Sequence, residues 1–134
     1  MSSAGEQALV SCGTTKGPVV MRLHRDWSPL GYDRAVTLFE KGFFDQSHFS
    51  RAVPNFLVQF GITYSQQDEL RSFMLQSIPD DPQLDPPIPF ELGTMSFAGS
   101  GPDSRTTQMF IAYGWVQAKY FMQRCAKMDA VLCV

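Results

Sequence analysis

The sequence predicts a mainly β fold, a small closed barrel of short strands with at least one flanking helix. Three observations carry that prediction. Short apolar runs recur along the 134 residues, pairs such as Lys16-Gly17 and Pro54-Asn55 punctuate them, and one early stretch has the signals of a helix. A hydrophobic share of 44% with 18% charged residues describes one core-forming domain and not a disordered chain.

The first hairpin is expected between Ala8 to Cys12 and Val19 to His24, turning at Lys16-Gly17-Pro18. Ser28-Pro29 then opens a helix, because proline suits a first helical turn. Val36, Leu38 and Phe39 supply its apolar contacts, and Lys41-Gly42 stops it. Phe49 to Val53 and Phe56 to Phe60 read as two strands around the turn pair Pro54-Asn55. On the first, Phe49, Arg51 and Val53 share a face; on the second, Leu57 and Gln59 share one. Phe56 has the wrong parity for Gln59 if that strand is regular from its first residue.

From Tyr64 to Pro89 the strand pattern is lost: the stretch SIPDDPQLDPPIPF is rich in proline and aspartate, which suits a long loop and is hostile to a central strand. Strands resume at Thr94 to Ala98 and Gln108 to Tyr113, separated by the turn-rich GSGPDSR.

Composition also excludes several functions. The net charge of −2, from 11 basic and 13 acidic residues without a basic block, offers no footprint for nucleic acid or an anionic membrane. Cys12, Cys125 and Cys133 form no CxxC pair and have no histidine at zinc-like spacing, so neither a metal site nor a disulfide framework is expected. No cofactor is implied. His24 and His48 belong to no recognisable triad. The N-terminus lacks a basic stretch followed by a long apolar core, and a cytoplasmic protein is the default expectation.

One stretch does call for a function. HFSRAVPNFLVQFG, His48 to Gly61, sets Arg51 and Gln59 in an otherwise apolar run, and a charged side chain is rarely left buried without a partner. Either both reach solvent or both face a site.

The blocks TTKGPVVMRLHRDWSP, GFFDQSHFSRAVPNFLVQFG and GTMSFAGSGPDSRTTQMFI settle the choice by resemblance. Their order, with F-x-R-x-x-P-x-F-x-x-Q-x-G followed later by Q-x-F-I, resembles the cyclophilin-type peptidyl-prolyl cis-trans isomerases, over about Leu9 to Ala112. The resemblance implies an eight-stranded barrel with a proline pocket on its outer surface. It implies that Arg51 is the catalytic arginine and that Gln59 holds a substrate carbonyl. Phe56, Leu57 and Phe110 would form the pocket, Ala98 and Gly99 a backbone rail, and Gln108 a second polar group. Proline-containing peptides or proteins are the implied partners, with cyclosporin-like ligands in the same groove, and a monomer is expected.

Plainer readings compete: Arg51 as a surface arginine paired with a carboxylate, Phe56 and Phe110 as core aromatics, Gln108 as a structural hydrogen-bonder. A noncatalytic proline-peptide binding module or an inactive truncated isoform, using the same groove without turnover, is the rival expectation.

The sequence also departs from the family pattern. Leu57 stands where methionine is common and Gly99 where asparagine is. The proline- and acid-rich loop replaces a glycine-rich one. The largest departure is WVQAKYFMQRCAKMDAVLCV, which divides the chain into a cyclophilin-like domain at residues 7–114 and an unmatched tail at 115–134. Val116, Phe121, Cys125, Met128 and Leu132 have helical spacing, and Trp115 or Phe121 is a candidate replacement for a pocket aromatic. A tail that closes the barrel poorly would leave the N-terminal strand with an open edge and the barrel incomplete at its C-terminal end.

Overall fold

The computed structural model describes residues 5–86, 88, 92–112 and, for the backbone alone, 121–128. Strands β1 (Gln7–Thr14) and β2 (Gly17–His24) form the expected hairpin, with Thr14 opposite Gly17 so that only Thr15 and Lys16 make the turn. Alternation does the rest. Ala8, Val10 and Cys12 of β1 and Met21 and Leu23 of β2 point into one core, as a period of two requires.

Helix α1 (Pro29–Glu40) has proline in its first turn and buries Tyr32, Ala35, Leu38 and Phe39, a stripe at three- to four-residue spacing. It ends at Lys41, and Gly42 takes a positive φ of 73°. Phe43 and Phe44 follow directly and are fully buried, with Phe44 edge-on to Phe60 across the core.

The expected strand from Phe49 to Val53 is broken. Ser47–His48 (β3) and Arg51–Val53 (β4) belong to different sheets, and the chain crosses between them at Phe49 and Ser50. Phe49 therefore does not share a face with Arg51: it enters the core against Phe60, whereas Arg51 points to solvent. Strand β5 is Leu57–Phe60. The stretch expected as loop from Tyr64 on instead begins with the short helix α2 (Asp68–Ser72) and a 3₁₀ turn at Phe73–Leu75, formed because Leu70, Phe73 and Met74 pack on the core. Strands β6 (Met95–Phe97) and β7 (Met109–Ala112) complete the second sheet. One sheet has the order β2-β1-β8-β3 and the other β4-β5-β7-β6, all pairs antiparallel.

Strand β8 (Phe121–Met128) corrects two expectations. The helical stripe through Phe121, Cys125 and Met128 is not a helix there: β8 lies between β1 and β3, so both of its edges find backbone partners, and sheet pairing outweighs the apolar spacing. For the same reason β1 has no open edge, being paired with β2 on one side and β8 on the other. Val116 and Leu132 of the same stripe, and Trp115, lie outside the described residues, as does the side chain of Phe121. The cysteine reading is also corrected. Cys12 is disulfide-bonded, and Cys125 stands directly opposite it in the β1–β8 register. Spacing along the chain could not show this.

The long loop is fastened by polar contacts: the Ile78 N–H donates to the Arg105 carbonyl at 2.9 Å, the Asp80 N–H to the Asp103 Oδ1 at 2.7 Å and the Arg105 Nη2 to the Pro79 carbonyl, and Asp81 gathers the densest cluster. The Asp81 carboxylate accepts hydrogen bonds from the Ser28 hydroxyl and from the backbone N–H groups of Leu30 (2.9 Å) and Gly31 (3.1 Å), and pairs with Arg105 at 3.2 Å. Ser28 does not cap its own helix; Asp81 does so from fifty residues away. Burial opposes ionisation of Asp81, but these four donors outweigh it and hold the carboxyl below its usual range. Gly31 is required by the close packing, since a Cβ there would lie 2.5 Å from the Ser28 Oγ.

Candidate active site

Register builds the site on the outer face of the second sheet. Arg51 is directly opposite Gln59, Gln59 is opposite Phe110, and Phe110 is opposite Ser96, so one row of side chains crosses all four strands. Leu57 and Ala112 form the next row on that face, because they are two residues along from Gln59 and Phe110. Val58, Phe60, Met109 and Ile111 have the opposite parity and are buried in the core. The arginine and the glutamine set in an apolar run are explained by this alternation. The apolar neighbours face inward and the polar pair faces out.

The polar groups are linked. The Gln59 Nε2 donates to the Gln108 Oε1 at 2.8 Å, and the Arg51 Nη1 approaches the Gln59 Oε1 at 3.4 Å, a long contact. Gln59 thus uses both ends of its amide, the oxygen toward Arg51 and the nitrogen toward Gln108.

Gly61 sets this geometry from below. Its φ is +123°, and an added Cβ would lie 2.4 Å from the Thr107 carbonyl oxygen and 2.5 Å from the Gln108 Cα, so only glycine allows the two backbones to come this close. The Thr107 hydroxyl, on a residue 1% exposed, donates to the Gly61 carbonyl at 2.8 Å. The sequence motif contained Gly61 as its last letter, but nothing in the sequence singled out Thr107.

The remaining predicted residues divide. Leu57 is 5% exposed and lies outside the main core cluster, a buried apolar floor on the groove side of the sheet. Phe110 is half-buried beside Gln59. Phe56 belongs to the turn and not to the strand, which removes the parity conflict, and it is 57% exposed. It is not a core aromatic. The Ala98 N–H is taken by the Gln108 carbonyl at 2.9 Å, and Gly99 begins an exposed loop in which the Ser104 hydroxyl accepts from the Ser100 N–H and donates to the Gly101 carbonyl.

A second concavity of about 180 Å³ lies elsewhere, lined by Met21 and Leu23 of β2, Tyr32 of α1 and Met95 and Phe97 of β6. It contains neither Arg51 nor Gln59. Its lining includes polar groups of its own, Arg22, His24, Ser28 and Arg105, beside the apolar ones. Among the described residues no cluster of metal-ligating side chains occurs, and no helix is long and apolar enough to cross a membrane.

Residues 9–126 match the family described as cyclophilin type peptidyl-prolyl cis-trans isomerase/CLD. The chain belongs to the cyclophilin family. It is 28% identical over 134 residues to peptidyl-prolyl cis-trans isomerase 9 of Schizosaccharomyces pombe, covering 95% of this chain and 21% of that protein. It is 27% identical over 111 residues to peptidyl-prolyl cis-trans isomerase-like 1 of Gibberella zeae, covering 80% of this chain and 67% of that protein. The chain thus spans about a fifth of the first of these cyclophilin relatives and two thirds of the second. A cyclophilin-type isomerase of Cryptosporidium parvum has the same fold, with a TM-score of 0.63 at 17% identity over 93% of this chain and 80% of that one. The same protein has been solved in the presence of the dipeptide Ala-Pro, with a TM-score of 0.63 at 17% identity over 91% of this chain and 79% of that one.

Proposed function

We propose that this chain catalyses cis–trans isomerisation of X-Pro bonds in peptides or proteins and so assists their folding. The observation that carries the reading is the outward row Arg51–Gln59–Phe110 with the Gln59–Gln108 hydrogen bond beside it. The chemistry asks for such a set. Amide resonance raises a barrier of about 20 kcal/mol, and uncatalysed rotation takes about 10–100 s. At the twisted transition state conjugation is lost and the prolyl nitrogen regains its lone pair. A guanidinium donating to that nitrogen stabilises the twisted state more than the planar one, and only such a difference accelerates rotation.

In this reading Arg51 is the donor, and Gln59 holds the carbonyl that precedes proline. Leu57, Phe110 and the exposed ring of Phe56 grip the proline ring while the other side of the bond turns. Ala98 and Gly99 offer backbone to the peptide, and Gln108 orients Gln59. No nucleophile and no cofactor enters. Proline-containing peptides are the partners, a cyclosporin-like ligand would compete for the same groove, and the protein acts as a monomer in an aqueous compartment, the cytoplasm by default.

The exposure of Phe56 favours a second reading, a proline-peptide binding module in which an open pocket wall binds without turnover. A protease-coupled isomerisation assay on a short X-Pro peptide separates the two, run beside a melt showing that the chain unfolds cooperatively. Accelerated isomerisation by the folded chain supports catalysis. Peptide binding by a folded chain without acceleration supports the binding module.

A further inference from the structure

The geometry points to Thr107 as a positioning residue for the catalytic row, acting through Gly61 on the glutamine pair; the inference rests on the isomerase reading above. Two backbones meet at this place more closely than any side chain permits, with the Gly61 Cβ position 2.4 Å from the Thr107 carbonyl oxygen. The contact is closed from the other direction by the Thr107 hydroxyl donating to the Gly61 carbonyl, buried and at 2.8 Å. Gly61 is two residues beyond Gln59, and Thr107 is immediately before Gln108. The clamp therefore fixes the separation of the two strands just where the Gln59 Nε2 reaches the Gln108 Oε1.

The glutamines are diagonal neighbours, since Gln59 is opposite Phe110 and Gln108 lies two residues before it. Diagonal pairs have backbones about 7–8 Å apart, so their side chains meet only over a narrow range of strand spacing. Gln59 in turn faces Arg51 at 3.4 Å, so an error in the Gln59 amide is passed to the guanidinium. A misplacement of about 1 Å in a reacting group can cost on the order of 10²-fold in rate. Thr107 touches neither substrate nor Arg51. Its effect on turnover is exerted wholly through the placement of Gln59 and Gln108.

Thr107→Val removes the donor while keeping the shape, and Thr107→Ser keeps the donor. Each variant is compared with the wild-type chain by steady-state isomerisation over a range of X-Pro peptide concentrations, well below its own melting temperature. The side-chain NH₂ resonances of Gln59 and Gln108 are followed by NMR in the same samples. The expected result for Thr107→Val is a kcat about tenfold lower with KM changed less than twofold, displaced Gln59 NH₂ resonances, and recovery of both in Thr107→Ser. A purely structural residue would lower the melting temperature and leave kcat and those resonances in place, and that result would overturn the inference. If the wild-type chain is itself inactive, the isomerase reading fails separately. The resonances then decide for the clamp, an unmoved Gln59 amide in folded Thr107→Val rejecting it.

Discussion

The groove face of the second sheet and the proline-rich loop that follows α2 are held in place by different physics. On the groove face, strand register does almost everything. Arg51, Gln59 and Phe110 are neighbours because their strands pair, and one glycine contact sets the spacing. The loop has an isolated bridge, Ile78 with Arg105, hydrogen bonds at Pro79 and Asp80 beside it, and a dense polar cluster in which Asp81 is shared by Ser28, two helix N–H groups and Arg105. Removing one contact from a register leaves the remaining ladder. Removing the centre of a polar cluster leaves several donors without an acceptor.

The comparison can be broken most forcefully at its one exception, the glycine that the groove face cannot spare. Gly61→Ala combines a strained positive φ with a direct clash against Thr107 and Gln108. It should destabilise the fold by about 2–6 kcal/mol, read as the shift of a urea or thermal midpoint. A change below about 1 kcal/mol would show that the two strands separate easily, and would remove the basis for a fixed groove.

Asp81 tests the loop. Asp81→Ala should cost about 2–4 kcal/mol by equilibrium unfolding, because it deprives α1 of its cap and leaves the Arg105 side chain, only 16% exposed, without its carboxylate. The effect depends on pH with a definite sign. The folded carboxyl is held below its ordinary value of 3.8, so its stabilisation is fully present above that value and is lost as pH falls through the lower folded value. Asp81→Asn should flatten that acid limb of the stability curve, and an unchanged limb would show that another carboxyl governs it.

The smallest effect belongs to Lys41 and Glu69, which join the end of α1 to α2 at 2.7 Å with both side chains largely exposed. Lys41→Ala should change stability by less than about 1 kcal/mol, and adding salt should shrink even that. A larger loss would mean that charge networks hold α1 as firmly as its buried face does.

The two regions were unequally legible in the sequence. Alternation placed Val58 and Phe60 on one face and Leu57 and Gln59 on the other, whereas a site at Arg51, Gln59 and Gln108 was expected only through the resemblance of the motif blocks to a known family. The break between Phe49 and Arg51 was hidden, because two residues that cross between sheets look like strand in a period-two pattern. The Asp81 cluster was hidden because its members are dispersed along the chain and meet only after folding. Strand β8 was misread because apolar residues at helical spacing also suit a strand whose two edges are both paired. Cys12 gave no sign of its disulfide, because the spacing of three cysteines along a chain does not say which of them meet on folding.

The central claim is that the outward row on the groove face turns over X-Pro bonds and does not merely bind them, and Arg51→Ala tests it most directly. Arg51 is exposed at the edge of that face and makes no core contact, so its removal should leave the melting temperature close to that of the wild-type chain. The measurement is kcat/KM for an X-Pro peptide, with peptide affinity determined separately by titration. The account predicts a fall of roughly 10²-fold or more in kcat/KM, about 2.7 kcal/mol, with affinity reduced far less. A folded Arg51→Ala variant that isomerises the peptide as fast as the wild-type chain would contradict it.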